Sequence, residues 1–187
     1  MQEIERFDNE EETLYKAIEG NKEAFGLLYD RYTAQIFRYF HIRTSDVQIS
    51  EDLTETVFIR AWTHLPNFGK RGKGKNFRAW LFQISHHLLV DFYRASNGET
   101  EVELSESLQE KSKPILVQLE IKERNNSLIQ AVRALEDKYQ HVIIARFSSG
   151  LTIEETAKSL GLSNGNVRVI QYRALKKLKE YLREEND

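Results

Sequence analysis

The chain has 187 residues but no cysteine and only two prolines, and these absences exclude several kinds of protein. Without cysteine there can be no disulfide framework and no thiolate metal site. No apolar run approaches the roughly 20 residues that a membrane-spanning helix needs, and the acidic start lacks the basic residues and apolar stretch of a signal peptide. We therefore expect a soluble, cytoplasmic protein.

Strand-like alternation of apolar and polar residues is also scarce, and there are only nine glycines. Apolar residues recur instead at the spacing of three and four that is typical of helices. The middle of the chain is polar and acidic, as expected for a tether. The sequence thus predicts an all-α protein with two small helical domains, over 1–96 and 114–187, joined by a flexible acidic linker over 97–113.

The net charge of −2 conceals a strong segregation of charge along the chain. Residues 68–94 carry a net charge of +5 and residues 127–183 another +5, whereas residues 95–123 between them carry −4. Binding to a polyanion depends on where cations cluster and not on the total. Two separate basic blocks therefore favour a nucleic-acid partner.

Residues 152–178 read as two helices around a tight turn. Thr152 and Glu155 form a capping box, Gly161 suits the end of the first helix, and Ser163 suits the start of the second. The outer face of the second helix contains no acid and offers donors, cations and one apolar side chain, as major-groove recognition requires. We predict a helix-turn-helix motif whose DNA-binding residues are Ser163, Asn164, Gly165, Asn166, Arg168, Val169, Tyr172, Arg173 and Lys176. An ordinary helical hairpin with a hydrated basic face is the alternative.

A helix predicted to begin at Ser50 and to end at Pro66 has an unusual outer face. It mixes acidic and apolar residues, which a hydrated surface does not require. The pattern favours a protein partner, although Trp62 could instead pack under a neighbouring loop. The candidate contact residues are Asp52, Glu55, Ile59 and Trp62.

The basic block at 68–94 combines a glycine- and lysine-rich loop over 67–76 with a helix over 77–94. The helix is apolar on two faces, and a polar stripe with an aromatic ring runs between them. Aromatic rings, amides and cations together suit unpaired DNA bases. A buried helix with one wet edge is the alternative. The candidates are Phe68, Lys70, Arg71, Lys73, Lys75, Phe77, Trp80, Gln83, His87 and Arg94, with Phe68 and Phe77 as stacking surfaces. No metal site is expected, because His86 and His87 diverge around a helix.

The order of these segments resembles the extracytoplasmic-function (ECF) subfamily of bacterial RNA polymerase sigma factors, over nearly all of the chain outside the tether and tails. The matching residues of the first half are Glu23-Ala24-Phe25 through Tyr32, Glu51-Asp52-Leu53, Val57 to Trp62, and Trp80 to Ile84 with Asp91 and Arg94. Those of the second half are Leu151 to Leu162, Gly165 to Arg168 and Tyr172 to Leu175.

The resemblance implies a role for each segment. The helix over 50–65 would bind the clamp helices of core RNA polymerase, residues 68–94 would melt and hold the minus-ten promoter element, and the helix over 163–178 would read the minus-thirty-five element as duplex. An anti-sigma protein is a further implied partner. No cofactor is implied, and the protein itself is not expected to be an enzyme, since RNA synthesis would belong to the polymerase.

A stand-alone helix-turn-helix repressor or activator is the second hypothesis. It would explain the basic helix at 163–178, but it leaves the outer face of the third helix and the basic loop without a role. An enzyme has little support, because the sequence contains no phosphate-cradling loop, nucleophile arrangement or metal-ligand spacing.

Overall fold

The computed structural model describes residues 10–70, 76–96 and 127–184, and all regular structure within these ranges is helical. The elements are α1 (Glu10–Ile18), α2 (Lys22–Thr44), α3 (Val47–Lys70), α4 (Phe77–Ser96), α5 (127–133), α6 (Asp137–Ile143), a π-helical turn (Ile144–Ser148), α7 (Ile153–Leu160) and α8 (Asn164–Glu184). No helix in these ranges combines the length and hydrophobicity that a membrane crossing requires. The predicted linker and the helix expected within 115–124 lie outside the described residues.

The start and end of α3 differ from the sequence-based prediction. Asp46, not Ser50, caps the helix, since its carboxylate accepts the backbone N–H of Ile49 at 2.8 Å. Ser50 lies fully buried inside the first turn, and its hydroxyl donates to the Asp46 carbonyl. The helix also continues through Pro66 to Lys70. Proline removes one helical hydrogen bond, but burial of Phe68 beyond it stabilises the last turn.

The N-terminal domain consists of α1 to α4 around a core of large apolar side chains. Helices α2, α3 and α4 pack against one another, and α1 packs on α2 and α3. Asn21 caps α2 as predicted, with its side-chain oxygen accepting the Ala24 N–H at 2.8 Å. The apolar faces expected from the helical spacing are buried, among them Leu28, Tyr32, Ile36, Tyr39, Val57, Ala61, Leu65, Leu81 and Leu89.

The C-terminal domain consists of α5 to α8, and its core confirms most of the predicted apolar stripe. Val142, Val167, Ala174 and Leu178 are buried. The helix expected from Tyr139 to Phe147 is instead α6 followed by the π-helical turn.

The two domains pack together. A single apolar cluster includes Leu88 and Leu89 of the N-terminal domain and Ile144 and Leu151 of the C-terminal domain. Helix α4 packs against α7, and α2 packs against the π-helical turn. The sequence predicted two domains, but none of its local patterns predicted that they pack against each other.

Two histidines meet a tyrosine between the domains. The Tyr39 hydroxyl lies 3.5 Å from Nδ1 of His86 and 3.4 Å from Nδ1 of His141, and the two imidazole rings are perpendicular with centroids 4.5 Å apart. Burial, together with the nearby Arg43 guanidinium, lowers the pKa of His141 to about 3. Burial also lowers the pKa of His86, with further contributions from His87 and Arg43.

We expect acid to destabilise the fold through His141. Its pKa is about 3 in the folded protein and near 6.5 in the unfolded chain, so the unfolded chain binds the extra proton as the pH falls below 6.5. The stability is complete above that pH, and the free energy of unfolding should fall by about 2 kcal/mol between pH 7 and pH 5. Urea titrations at the two pH values measure this change.

The variant His141→Phe should lose most of that pH dependence because it keeps a ring but cannot titrate. His64→Phe is the matched control, since His64 is exposed on α3 and its replacement should leave the decline unchanged. An equally steep decline in His141→Phe would contradict the assignment.

Candidate nucleic-acid interface

The turn between α7 and α8 has the local geometry that the sequence predicted. The Thr152 hydroxyl accepts the Glu155 N–H at 3.2 Å, and the Glu155 carboxylate accepts the Thr152 N–H at 2.5 Å, which completes the capping box. Gly161 ends α7 with a φ of +66°, a left-handed conformation that favours glycine. The Ser163 hydroxyl then accepts the Asn166 N–H at 3.2 Å and so caps α8.

One face of α8 is buried and the opposite face is open to solvent. Val167 and Ala174 are fully buried, whereas Tyr172 is 73% exposed and Val169 is 48% exposed. All nine residues proposed from the sequence to contact DNA lie in the exposed class: Ser163, Asn164, Gly165, Asn166, Arg168, Val169, Tyr172, Arg173 and Lys176. The helix therefore presents these side chains together on its outer side.

Lys177 neighbours this exposed face of α8, but it differs from the arginines on the face because it has an ion-pair partner. Lys177 donates to Glu136 at 2.9 Å, and Lys138 binds the same carboxylate at 2.7 Å. Hydrogen bonds from Lys138 and Lys177 lower the pKa of Glu136 to about 2. Within the described ranges no acid forms an ion pair with Arg168 or Arg173, so both remain available to a polyanion.

Gly165 is not required by the fold. A Cβ atom added there would lie 3.9 Å from the Ser163 hydroxyl oxygen, with no other heavy atom among its near contacts. The first-turn backbone of α8 is therefore accessible, and helix N-termini attract phosphate through their free N–H groups. The absence of a side chain at this point suits a close approach of that backbone to a phosphate.

Arg146 holds the helix-turn-helix motif in place, a role that the sequence-based interpretation missed. Its Nε donates to Oε1 of Gln171 on α8 at 3.0 Å, and its Nη1 donates to the Leu151 carbonyl that precedes α7. The guanidinium thus joins the recognition helix to the start of its partner helix. The sequence contained one sign of this role: Arg146 falls at the helical spacing of the core residues of its helix. A charged group in such a position needs hydrogen-bond acceptors nearby.

The residues predicted for the polar stripe of α4 are mostly exposed. Gln83, His87 and Arg94 are exposed, and Trp80 is half-buried. The Trp80 indole stacks on Phe68 with ring centroids 4.6 Å apart and an interplanar angle of 28°. Lys70 is the last residue of α3, whereas Arg71, Lys73 and Lys75 lie outside the described residues.

The expectation that Phe68 and Phe77 form open stacking surfaces is wrong. Phe68 is 6% exposed and Phe77 is 2% exposed. Their rings pack edge to face in the core, with centroids 6.1 Å apart. Because α3 continues past Pro66, Phe68 belongs to the helix and not to the loop. Trp80 is the remaining aromatic residue of the set with exposed surface.

The outer face of α3 combines exposed acids with an exposed apolar residue. Asp52 and Glu55 are exposed, and Ile59 is 60% exposed, so its side chain contributes little to the core. Trp62 is half-buried, because its ring packs on Phe25 of α2 with centroids 4.9 Å apart. The acids, Ile59 and the free edge of Trp62 thus form one continuous mixed surface.

The structure brings the start of α4 onto the helix-turn-helix motif, which sequence reasoning did not foresee. Nη2 of Arg78 donates to both carboxylate oxygens of Glu155, at 2.9 and 3.0 Å, and the Asn76 amide donates to the same carboxylate. Burial alone would raise the pKa of Glu155, but the Thr152 N–H and the Arg78 guanidinium together hold it below its usual value.

Comparison with known proteins matches both halves of the chain to one family. Residues 28–99 match the family described as Sigma-70 region 2, and residues 131–180 match Sigma-70, region 4. The ECF RNA polymerase sigma factor BldN of Streptomyces coelicolor is 33% identical over 173 residues, which cover 91% of this chain and 65% of BldN. The ECF RNA polymerase sigma factor SigX of Bacillus subtilis is 31% identical over 173 residues, which cover 88% of each chain.

Solved structures share this fold. CnrH, solved in complex with the cytosolic domain of CnrY, is 28% identical with a TM-score of 0.67, over 95% of this chain and 99% of CnrH. The sigma factor RpoE of Bartonella quintana, solved with the anti-sigma factor NepR, has a TM-score of 0.65 at 20% identity and supports the fold alone. The match of both regions in one chain does not fit a stand-alone repressor or activator. The protein belongs to the ECF RNA polymerase sigma factors.

Proposed function

We propose that this protein binds core RNA polymerase and directs it to promoters, reading the minus-thirty-five element as duplex and the minus-ten element as melted DNA. The observation that carries the proposal is the coexistence of two DNA-suited faces in one chain. One is the acid-free outer face of α8, and the other is the stripe of α4. A repressor needs only the first of these surfaces.

Helix α8 suits the major groove of the minus-thirty-five element. The arginines at 168 and 173 can donate two hydrogen bonds to a guanine edge, and such a pair contributes about 1–3 kcal/mol of discrimination. Val169 offers apolar contact to a thymine methyl group, and the backbone at Gly165 offers N–H groups to a phosphate. The remaining polar residues, Ser163, Asn164, Asn166, Tyr172 and Lys176, complete the surface.

The stripe of α4 suits the unpaired strand of the minus-ten element. Stacking on Phe68 fixes the orientation of the Trp80 ring, so that the ring offers a rigid surface to an unpaired base. Stacking of a base on an aromatic ring contributes about 1–3 kcal/mol. Gln83 and His87 can hydrogen-bond to base edges, while Arg94 and the lysines and arginine of residues 70–75 neutralise phosphates. We retain Phe68 as the support of Trp80 and not as a stacking surface.

The mixed face of α3 is the proposed contact with the polymerase. Asp52 and Glu55 supply charge complementarity to a basic partner, and Ile59 with the edge of Trp62 supplies the apolar centre. RNA synthesis would then belong to the polymerase, and the protein would act in the cytoplasm. Because CnrH was solved in complex with the cytosolic domain of CnrY, a bound regulatory protein such as an anti-sigma factor is a candidate partner.

The requirement for core polymerase tests the proposal. Purified protein should associate with bacterial core polymerase, and the mixture should retard promoter DNA in a gel, whereas the protein alone should not retard it at the same concentration. Tight promoter binding without polymerase would overturn the proposal in favour of a repressor or activator.

We expect a charge at Ile59 to abolish binding to the polymerase. The variant Ile59→Glu places a carboxylate at the apolar centre of the proposed contact, and a buried unpaired charge should weaken the association at least about 100-fold. Val47→Glu is the matched control, since Val47 is also on α3 and is 49% exposed, but lies outside the mixed face. Co-purification with core polymerase measures both, and equal binding of the two variants would contradict the assignment of this face.

We expect Gly165→Ala to separate folding from DNA binding. A helical alanine is more favourable than glycine by up to about 1 kcal/mol, so the thermal midpoint should stay the same or rise. The added methyl group should keep the backbone from a phosphate and lower the promoter affinity of the holoenzyme. Gly26→Ala on α2 is the control, because a Cβ atom added at Gly26 would meet nothing within 4 Å. Equal promoter affinity of the two variants would exclude a close approach at Gly165.

A further inference from the structure

Gly69 lies next to the last residue of α3, where glycine is an unfavourable choice. A helical glycine is less favourable than alanine because it loses more backbone freedom on folding. Many helices end at a glycine with a positive φ, as α7 does at Gly161. Gly69 instead has an ordinary helical conformation that any residue can adopt. The backbone conformation therefore does not account for the absence of a side chain at this position.

The side chain of Ile18, the last residue of α1, does account for it. A Cβ atom added at Gly69 would lie 2.5 Å from Cγ2 of Ile18, 3.3 Å from Cδ1 and 3.5 Å from Cγ1. Ordinary carbon–carbon contacts are about 3.5–4.0 Å long, so the two helices would need to move apart by about 1 Å. A change of rotamer offers little relief, because the χ1 angle of a β-branched residue in a helix is restricted. Ile18 thus packs closely on α3 at Gly69.

This contact lies next to the base-stacking surface proposed for the minus-ten element. Phe68 precedes Gly69 in the chain, is 6% exposed and stacks on Trp80 with ring centroids 4.6 Å apart. Because protein interiors are closely packed, a displacement at one contact is passed on to the next. A shift of α3 at Gly69 would therefore move Phe68 and with it the Trp80 ring.

The start of α1 is connected to the same aromatic group through α2. Oε1 of Glu10 accepts the Tyr32 hydroxyl at 2.5 Å. Burial, together with this carboxylate, raises the pKa of Tyr32, so its hydroxyl remains a donor. The Tyr32 ring lies 5.7 Å from that of Phe77, which in turn lies 5.9 Å from Trp80, measured between centroids. Both ends of α1 are thus connected to Trp80 through two intervening residues.

The charges of α1 do not suit a direct contact with DNA. Its first turn consists of Glu10, Glu11 and Glu12, and carboxylates repel the phosphates of a nucleic acid. Packing against α2 and α3 is therefore the means by which α1 can influence a DNA-binding surface.

We propose that Ile18 is a positioning residue for recognition of the melted minus-ten element. By packing on Gly69 it fixes the end of α3, and Phe68 then keeps the Trp80 ring in the orientation that an unpaired base requires. The inference rests on the proposed function, because it assigns an indirect role in the same minus-ten site. A large β-branched residue at position 18 and a glycine at position 69 are required together.

The variant Gly69→Ala tests this in the holoenzyme. The added methyl group should displace the end of α3 and lower promoter opening about tenfold, since the stacking of a base on Trp80 is weakened. Opening is measured by permanganate oxidation of unpaired thymines, on a promoter identified by sequencing the transcripts that overexpression of the protein induces. Affinity for core polymerase should not change, because Ile59 lies ten residues earlier in α3, about 15 Å away.

Gly26→Ala is the matched control, because Gly26 is also half-buried within a helix but a Cβ atom there would meet nothing within 4 Å. This variant should open the promoter as the wild type does. The double variant Ile18→Ala/Gly69→Ala removes the three carbon atoms that the new methyl group would meet, and it should recover most of the opening. A substitution that merely destabilised α3 would not be rescued by a second truncation. Opening by the double variant no better than that by Gly69→Ala would overturn the proposal.

Fluorescence of the free protein separates this inference from the proposed function. The chain has two tryptophans, so the variant Trp62→Phe leaves Trp80 as the single emitter. In that background Gly69→Ala should shift the emission to longer wavelength as the Trp80 ring leaves Phe68, and the addition of Ile18→Ala should reverse the shift. An unchanged emission would disprove the positioning role while the proposed function stands. A wild-type holoenzyme that opens no promoter would instead disprove the proposed function, and the positioning role with it.

Discussion

The pairing of the Glu155 carboxylate is the interaction on which the arrangement of this protein depends. A carboxylate in a buried position is costly unless hydrogen bonds and a cation compensate it. Glu155 obtains the hydrogen bonds from the backbone of its own helix start, where it completes the capping box with Thr152. It obtains the cation from Arg78 of the other domain. One side chain therefore fixes the start of the helix-turn-helix motif and also attaches that motif to α4.

This double role links local structure to function. The recognition helix is defined largely within the C-terminal domain, because short-range caps and an apolar stripe fix α7, α8 and the turn between them. Attachment to α4 adds burial of a polar helix face, which stabilises the packed arrangement only modestly against the loss of hydration. The DNA-suited and polymerase-suited faces on α8, α4 and α3 remain exposed around it.

The failures of sequence reasoning have identifiable physical causes. Proline at 66 was taken as a helix end, but burial of Phe68 two residues later outweighs the single lost hydrogen bond. The same burial removed Phe68 from the loop and placed it under Trp80 as a support. Phe77 was predicted to be open because it flanks a basic loop, whereas its position at the start of α4 directs its ring into the core. In each case long-range packing decided what a local pattern left open.

The sequence by itself determined the helices, most caps, the apolar faces and the family, because each of these depends on residues close together in the chain. Helical periodicity alone was enough to assign the nine candidate residues of the recognition helix and its cap to the exposed side. Only the tertiary structure decided how the two domains meet. Arg78 and Glu155 are 77 positions apart, and the residues around each of them do not indicate the other as its partner. The same is true of Arg133, whose guanidinium donates to the carbonyls of Ile42 and His41 at the end of α2, because a backbone acceptor has no sequence signature at all.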